Sequence, residues 1–320
     1  MARIATPDRA HAGLAAEIVA RLRALYVERD EDWRRDHLGA SLIGHDCDRH
    51  LWLTFRWAVA PNHDGKQLRL FERGEREERW IIDDLRAAGF ALEQVDPFTG
   101  QQRRIVLGST GHAGGGMDLR FLGLIDGKPV LGEIKTHNEK SFDRLVEKGV
   151  KASKPEHYAQ MQSYMGGDGM LFAVYIAVCK NDDRIHVEIV PFDAAFYGKL
   201  AEKADRIVRA TEPPPREIDK AHPPCLYTSQ DGRTWPCQHY QLCHGQAMPE
   251  RNCRTCAYST PEQGGTWRCV RFNEALNSEK QREGCASWVV IPSIVNAQVV
   301  DATEDWVELQ FADGRKVTVP

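Results

Sequence analysis

The sequence predicts an α/β fold with a cysteine-rich segment at its C-terminal end. Apolar runs of strand length occur at residues 119–125, 129–134 and 170–179. Amphipathic runs of helix length stand before, between and after them. Because strands that alternate with helices indicate an α/β core, we expect one here. Seven of the nine cysteines lie between residues 225 and 285, a crowding that is typical of metal ligands.

Length and charge restrict the function classes. A chain of 320 residues has room for one large domain or two small ones. No run of about 18 apolar residues occurs, so we expect no membrane span. The start of the chain lacks a basic region followed by a continuous apolar one, so we expect a cytoplasmic protein without disulfides. The net charge of −4 excludes a strongly basic coat protein but allows an enzyme whose nucleic-acid contacts lie in one groove.

Two amphipathic helices are predicted in the first 89 residues. One covers residues 8–30 and gives the N-terminal segment 1–37 its packing face. The apolar side chains of that face are Leu14, Ile18, Leu22, Leu25 and Tyr26. The other helix covers residues 71–89, where Gly89 supplies the C-terminal stop. Glu78 lies near its start, where acidic side chains usually complement the helix dipole.

Two apolar runs joined by a tight turn form the centre of the prediction. Leu119–Ile125 and residues 129–134 have strand character, and Asp126 and Gly127 lie between them. Asp-Gly between two such runs is a strong signal for a β-hairpin. We therefore expect the two runs to pair as neighbouring antiparallel strands.

Three charged residues stand at one end of this hairpin. Asp118 precedes the first strand, and Glu133 and Lys135 lie two apart in the second, so their side chains share a face. Two carboxylates and an ammonium that converge are costly unless a hard cation such as Mg²⁺ lies between the carboxylates. The alternative is an ordinary solvated face in which Lys135 is the counter-ion.

The chain after the hairpin continues the α/β pattern. Pro155 opens a helix that carries Gln160 and Tyr164 one turn apart on the same face. Residues 170–179 read as a strand buried on both faces, and residues 184–191 read as its antiparallel partner. A helix at 194–210 ends at a proline run. The lysines before Pro155 form either a solvated helix or a rim that contacts phosphate, and they are Lys140, Lys148, Lys151 and Lys154.

Four motifs, the Asp and the Glu-x-Lys counted separately, resemble those of the PD-(D/E)XK nuclease superfamily, and the resemblance covers roughly residues 38–245. An Asp before a hairpin that ends in Glu-x-Lys resembles the nuclease core. The QxxxY motif and a glycine-led motif that ends in Glu resemble the RecB-like and CRISPR-adaptation branch. The matching residues are Glu78, Asp118, Glu133, Lys135, Gln160 and Tyr164. The resemblance implies a restriction-endonuclease-like core, with a mixed central sheet flanked by helices.

The resemblance also implies an activity. It is the hydrolysis of phosphodiester bonds in DNA by a metal-dependent exonuclease, in phage or bacterial DNA recombination or repair. The implied ligands of Mg²⁺ or Mn²⁺ are Glu78, Asp118, Glu133 and the carbonyl of Ile134. Lys135 would act on the attacking water or the charge on the phosphate, and Gln160 and Tyr164 would orient Lys135 and the phosphate. Besides DNA, a single-strand annealing protein is a candidate partner.

A first cysteine set follows from the same resemblance. In iron–sulfur members of the branch, a cysteine after a serine-containing turn is the first cluster ligand, and Cys47 resembles it. Cys237 and Cys243 match the Cys-x5-Cys pair that ends the ligand set. A threonine stands where the family has one further cysteine, so Cys225 is the nearest candidate and His239 an outside alternative. Four thiolates suffice for a 4Fe–4S cluster, and zinc would also accept them. Without the family, Cys47 reads as a small residue that caps a helix.

The spacing of the remaining cysteines predicts a second metal site. Cys253 and Cys256 form a Cys-x2-Cys knuckle, and Cys269 and Cys285 follow at short range, a pattern typical of a structural zinc site. We therefore predict a Cys₄ zinc module at residues 246–290. Its part from 250 to 288 contains few large apolar side chains, so a bound metal is expected to stabilise it. Residues 291–320 predict a β-hairpin tail.

Several histidines near these motifs are expected to be solvated. His45 and His50 flank Cys47 and read as surface residues, and His112 lies in a glycine-rich loop where it could contact DNA. Cys179 reads as part of the core.

Two other function classes compete with the exonuclease, besides a nuclease for CRISPR adaptation. One is a DNA-binding scaffold that is catalytically inert and stabilised by its metals. The intact set of Asp118, Glu133 and Lys135 counts against it. The other is an electron-transfer protein, which is disfavoured because no flavin or nicotinamide loop occurs.

Overall fold

The structure is a computed structural model, and it describes residues 9–30, 34–228 and 232–320. The chain forms two compact units. Among the described residues, the helical unit consists of those before Arg35 together with residues 61–89, and the sheet unit consists of those in 35–60 and 90–320. Thus the second part of the helical unit interrupts the sequence of the sheet unit.

Within the described residues the helices are α1 (Arg9–Glu28), α2 (Asp48–Phe55), α3 (Gly65–Ala87), α4 (Glu139–Ser153), α5 (Pro155–Asp168), α6 (Ala194–Arg209), α7 (Tyr240–His244) and α8 (Ser278–Glu283). The strands described are β1 (Leu38–Gly39), β2 (Leu92–Glu93), β3 (Arg104–Val106), β4 (Ala113–Gly116), β5 (Leu119–Ile125), β6 (Lys128–His137), β7 (Phe172–Cys179), β8 (Ile185–Pro191), β9 (Leu226–Thr228), β10 (Thr234–Pro236), β11 (Ser259–Glu262), β12 (Thr266–Cys269), β13 (Glu274–Leu276), β14 (Gln298–Ala302), β15 (Val307–Gln310) and β16 (Lys316–Val319).

The helical unit contains α1 and α3, and their packing depends on one glycine. A Cβ atom at Gly65 would lie 2.2 Å from the carbonyl oxygen of Arg23, so only glycine allows this approach. Asp64 caps α3 by accepting a hydrogen bond from the backbone N–H of Gln67 at 2.8 Å. The predicted end of this helix is observed, since Ala88 follows it as the C-cap and Gly89 has a φ of +90°.

The centre of the sheet unit is a five-stranded mixed sheet with the order β2-β5-β6-β7-β8. The pair β6 and β7 is parallel, and the other neighbours are antiparallel. A parallel pair requires a crossover connection, which α4 and α5 provide. The chain therefore has a mixed α/β fold, as its alternating pattern predicts.

The hairpin of β5 and β6 has a two-residue turn. Asp126 and Gly127 have φ values of +51° and +70°, and Ile125 pairs directly with Lys128. Positive φ at both central residues is typical of the hairpin turn that Asp-Gly favours. Beyond an irregularity in the ladder, Leu119 pairs with Gly132. This register fixes the relative positions of the charged residues at the far end of the hairpin.

The main core lies on one face of this sheet. Leu131 of β6 and Tyr175 of β7 are completely buried, and they belong to a cluster with Leu145 of α4, Met161 of α5 and Ile207 of α6. Burial of large apolar side chains is the main favourable contribution to folding, at about 25 cal/mol per Å² of apolar surface. Cys179 is part of this core, as the sequence indicates.

Three small sheets and a second core occupy the C-terminal region. Residues 298–319 form a three-stranded antiparallel sheet, β14-β15-β16, where the sequence predicted only a hairpin. The extra strand arises because Val299 pairs with Leu309. Trp288, Val290 and Phe311 are buried with this sheet in a second core.

The predicted zinc module is not a separate appendage in the structure. Trp267 and Leu276 belong to the main core, and the guanidinium of Arg254 lies 3.6 Å from the ring centroid of Trp57. Arg254 also donates to the carbonyl of Phe55 at 2.9 Å and is only 1% exposed. Residues 250–288 therefore pack against the rest of the sheet unit, although they contain few large apolar side chains. An arginine between aromatic rings does not appear in a count of apolar side chains.

In the part of the chain that the structure describes, no helix is both long and apolar enough to cross a bilayer.

Candidate functional site

The β5–β6 hairpin places three charged side chains together. Because Leu119 pairs with Gly132, Asp118 falls opposite Glu133 in the antiparallel register. The ammonium of Lys135 forms an ion pair with Glu133 Oε1, and it lies 3.9 Å from Asp118 Oδ2. Asp118 Oδ2 also accepts a hydrogen bond from the backbone N–H of Ile134 at 3.3 Å. The convergence expected from the sequence is thus present in the structure.

The environment of these charges is unusual for carboxylates. Glu133 is completely buried, and the side chain of Asp118 is 14% exposed. Burial opposes the charge of Lys135, but the neighbouring carboxylates of Glu133 and Asp118 outweigh it and raise the pKa of Lys135. Two acidic side chains and one ammonium thus share a largely buried place, and when both acids are ionised one negative charge is in excess. A charge of this kind needs compensation, and a cation with oxygen ligands would supply it.

Helix α5 brings two predicted residues to the same place. Gln160 and Tyr164 are buried one turn apart, and Gln160 Nε2 donates to Tyr164 Oη at 3.3 Å. Burial, and then the nearby Glu133 carboxylate, raise the pKa of Tyr164 to about 12. A Cβ atom at Gly115 would lie 2.9 Å from Tyr164 Oη. The glycine in β4 therefore allows the tyrosine to approach the backbone closely.

A hydrogen-bonded group that the sequence analysis missed lies in the same region. Tyr175 Oη is 2.9 Å from His137 Nε2 and 2.7 Å from His157 Nδ1. His137 Nδ1 is in turn 3.1 Å from Ser141 Oγ. Burial and then nearby cations, Lys135 among them, lower the pKa of His137 to about 4 and that of His157 to about 3. Both imidazoles are therefore neutral near pH 7.

The missed group had a signal in the sequence. His137 follows Lys135 by two positions in a strand, so the two side chains share a face. His157 precedes Gln160 by three positions and Tyr164 by seven in a helix, which also gives a shared face.

Glu78 belongs to the other compact unit of the chain. Glu78 lies in α3 of the helical unit, whereas Asp118, Glu133 and Lys135 belong to the sheet unit. Its assignment as a metal ligand stays a prediction.

The first cysteine set gathers side chains from distant parts of the sequence. Cys47 is the N-cap of α2, where its sulfur accepts a hydrogen bond from the backbone N–H of His50 at 3.3 Å. The backbone N–H of Cys237 donates to the carbonyl of Cys225 at 2.8 Å, and Cys243 lies in α7. Burial, followed by the nearby Cys243, Cys47 and Cys225 thiols, raises the pKa of Cys237 to about 11. The four thiols are thus close enough to interact electrostatically.

Two histidines contact this set. His50 Nδ1 lies 3.4 Å from Cys237 Sγ, and His244 Nε2 lies 3.3 Å from Cys225 Sγ. The rings of His45 and His50 stack at 4.1 Å, and both are half-buried, so the expectation that they are surface residues is wrong. His239 is buried, and its Nε2 lies 3.0 Å from Thr54 Oγ1.

The second cysteine set begins at a tight turn. The backbone N–H of Cys256 donates to the carbonyl of Cys253 at 3.0 Å, and Cys269 ends β12. Burial, followed by the neighbouring Cys256, Cys285 and Cys269 thiols, raises the pKa of Cys253 to about 12. The four thiols therefore lie near one another, as they do in the first set.

Neither set has a metal-ligand arrangement as it stands. Among the described residues, no group of three or more His, Cys, Asp and Glu side chains is placed to hold a metal ion. Since a metal binds the thiolate, binding would require loss of the thiol protons and a closer approach of the sulfurs.

His112 does not have the exposure expected for a DNA contact. It is 1% exposed, and its Nε2 lies 2.8 Å from the carbonyl oxygen of Glu262. The ring also packs against Phe55 and Trp267. The glycine-rich loop that contains it is covered by β11 and β12, which the sequence could not indicate.

Comparison with solved structures finds a partial likeness. Two crystal structures of LHK-Exo, an alkaline exonuclease from Laribacter hongkongensis, one of them in complex with dAMP, are similar over 54% of this chain and 87% of theirs. The sequence identity is 17%, and the TM-scores are 0.41 and 0.40. The crystal structure of SSO0001 is similar over 60% of this chain and 85% of its own, with 14% identity and a TM-score of 0.38. No family model and no curated protein matches the chain.

Proposed function

We propose that this protein is a metal-dependent exonuclease that hydrolyses phosphodiester bonds in DNA. The observation that carries the proposal is the convergence of Asp118, Glu133 and Lys135 at one end of the β5–β6 hairpin. These residues have the order and spacing of the PD-(D/E)XK nuclease core, and the mixed sheet supplies a frame for them. Exonuclease action follows the resemblance of the Gln160 and Tyr164 motif to the RecB-like branch.

The donor set at the hairpin fits a hard divalent cation. Asp118, Glu133 and the carbonyl of Ile134 would hold Mg²⁺ or Mn²⁺ through oxygen atoms, with Glu78 as a further ligand. The net negative charge left beside Lys135 is the kind of site that such a cation neutralises. A bound cation would polarise the scissile phosphate and assist the attack of water.

The protein side chains would perform the remaining tasks. Lys135 stays protonated because of its ion pair with Glu133, and it would stabilise the charge that develops on the phosphate. Tyr164 keeps its proton because burial raises its pKa, so its hydroxyl can donate to a phosphate oxygen. Gln160 holds this hydroxyl by its own hydrogen bond.

The test is an assay of nucleotide release from linear duplex DNA, with Mg²⁺ and with the metal removed by chelation. We expect the wild type to release nucleotides when Mg²⁺ is present and not after chelation. Asp118→Ala and Glu133→Ala should lose this release but keep the melting temperature and the DNA affinity of the wild type. Glu308→Ala is the matched control, because Glu308 is a carboxylate of β15 in an ion pair with Lys316. Full activity in Glu133→Ala would contradict the proposal. Binding without cleavage in the wild type would favour the inert scaffold instead.

We also propose that the two cysteine sets hold separate metals. Cys47, Cys225, Cys237 and Cys243 would hold an iron–sulfur cluster, an assignment that the resemblance to iron–sulfur nucleases supports. The second set, Cys253, Cys256, Cys269 and Cys285, would hold zinc, which the Cys-x2-Cys turn supports. The proximity of the four thiols within each set supports this division.

The biological setting that fits is DNA recombination or repair in a phage or a bacterium. An enzyme of this kind resects one strand for annealing, so a single-strand annealing protein is the proposed partner. Trimming of DNA for CRISPR adaptation is the alternative setting that the resemblance allows.

A further inference from the structure

A row of hydrogen bonds runs beside the candidate active site. It starts at Ser141 Oγ, passes through His137 and Tyr175, and ends at His157, with distances of 3.1, 2.9 and 2.7 Å. Tyr175 is completely buried, His137 is 4% exposed, and His157 is half-buried. Both ends of the row, Ser141 and His157, are half-buried, and His157 is the end whose second ring nitrogen, Nε2, is not used within the row.

The elements that carry this row also carry the proposed catalytic groups. Strand β6 presents Glu133, Lys135 and His137 at alternate positions on one face. Tyr175 pairs with Glu133 in the parallel ladder of β6 and β7. Helix α5 presents His157 on the face that also contains Tyr164. His157 thus belongs to the wall of the site.

The contacts of His157 determine which ring nitrogen a ligand can use. Among the described residues, the polar partner of His157 is Tyr175, at Nδ1. The hydroxyl proton of Tyr175 can serve only one of its two histidine partners. If Tyr175 donates it to His157 Nδ1, then His137 Nε2–H donates to the tyrosine oxygen and Ser141 donates to His137 Nδ1. Every group in the row is then satisfied without any net charge, and the proton of His157 stands on Nε2.

We propose that His157 Nε2–H donates a hydrogen bond to a phosphate oxygen of the DNA strand held in this site, with Ser141, His137 and Tyr175 as positioning residues. The inference rests on the proposed function, because it takes the DNA phosphate as the ligand. A neutral donor fixed in orientation suits a phosphate beside two carboxylates and a lysine. Such a donor forms a hydrogen bond with the phosphate, and it brings no further charge that would have to be desolvated. Because burial lowers the pKa of His157 to about 3, the ring stays neutral over the whole working range of pH.

The experiment compares His157→Leu with His157→Gln. Glutamine can place an amide N–H near the position of the imidazole Nε2, whereas leucine keeps bulk and loses the donor. Because a hydrogen bond to a charged group contributes substantially, we expect KM for linear DNA to rise about tenfold or more in His157→Leu. The KM of His157→Gln should lie within about threefold of the wild-type value. In both variants kcat should change less than KM. Tyr175→Phe should raise KM by a smaller factor, because the ring remains but is no longer held.

The matched control is His186→Leu. His186 is a partly exposed histidine of β8 that packs on Phe142, and its change should leave KM unaltered. A KM within twofold of wild type in His157→Leu would overturn the inference while the proposed function stands. Equal losses in the leucine and glutamine variants would also overturn it, because they would indicate packing instead of donation.

Direct binding separates this inference from the nuclease proposal. Fluorescence anisotropy of labelled DNA, with Ca²⁺ in place of Mg²⁺, measures Kd whether or not cleavage occurs. If the wild type binds but does not cleave, the nuclease proposal fails, and weaker binding by His157→Leu than by His157→Gln still supports the phosphate contact. If the wild type neither binds nor cleaves DNA, both proposals fail. Should His157→Leu not fold, the glutamine and Tyr175→Phe variants give the same comparison.

Discussion

The carboxylates of the candidate active site and the thiols of the first cysteine set reach their positions by different routes. Asp118, Glu133 and Lys135 are close in sequence and are brought together by one hairpin turn. Cys47 instead caps a helix near the start of the sheet unit, and its proposed co-ligands lie in the chain that follows α6. A local arrangement needs only a short stretch to fold, whereas a distant one needs the whole unit.

The two regions also differ in the contacts that hold their side chains in place when no metal is bound. The ammonium of Lys135 and the backbone N–H of Ile134 already hold the carboxylates at the hairpin. In the cysteine sets, burial and neighbouring thiols raise the pKa values of Cys237 and Cys253, so these two thiols keep their protons. We therefore expect chelation to leave the fold of the hairpin unchanged and to affect the cysteine sets more strongly.

The largest effect on activity is expected from a substitution of Lys135 in the hairpin site. Lys135→Ala removes the only ammonium that contacts both carboxylates in the described part of the chain. We expect the rate of nucleotide release to fall by about a hundredfold to a thousandfold. Affinity for Mn²⁺, measured by calorimetry, should persist because the oxygen donors remain.

Lys316→Ala is the control, since Lys316 is an exposed lysine of β16 in an ion pair with Glu308. If Mn²⁺ affinity fell together with the rate in Lys135→Ala, the lysine would belong to the metal site and not to catalysis.

An effect of intermediate size is expected from a substitution in the first cysteine set. Cys47→Ser should remove the iron and the absorbance near about 400 nm of anaerobically purified protein. It should also lower the melting temperature by several degrees, because a clip that closes a long loop is lost. Cys179→Ala is the control, because Cys179 is buried in β7 and is not a proposed ligand. Iron content equal to the wild type in Cys47→Ser would remove Cys47 from the ligand set.

The smallest effect on activity is expected at the second cysteine set. Cys256→Ser should cost about one zinc per chain by elemental analysis, with iron retained. Because Cys256 packs with Trp288 and Val290 in the second core, that core should loosen. The main core, which Trp267 joins, should persist, as should release of nucleotides from short DNA.

The reverse metal result, iron lost and zinc retained in Cys256→Ser, would mean that the cysteines are divided wrongly between the sets. Hydrogen exchange would locate the loosened region, with β14–β16 as the segment expected to lose protection.

The sequence predicted the local parts of the molecule well, for physical reasons. Asp126 and Gly127 favour one turn type, and that turn fixed the β5–β6 pairing and with it the position of Asp118. Residues 170–179 are apolar on both faces, so the buried β7 was predictable. In each case the information lies within about ten neighbouring residues.

Features that depend on distant partners were not predictable. Arg254 looks like a surface residue in sequence, but it stacks on Trp57, which lies far earlier in the chain. His112 sits in a loop that β11 and β12 cover. The partnership of His137, Tyr175 and His157 required the parallel register of β6 and β7 and the crossover helix α5. Periodicity records which face a side chain occupies but not what packs against that face.

Helix α2 has a consequence for the time course of synthesis. Its Arg49 donates to the carbonyls of Pro214 and Ser293, and Trp52 donates to the carbonyl of Ala210. These partners leave the ribosome long after α2 does. A nascent chain therefore exposes the apolar side chains of α2, Trp52 among them, until these later segments have been made. Chains stopped before Ala210 should therefore leave α2 uncovered and aggregate more readily than chains that extend beyond Ser293.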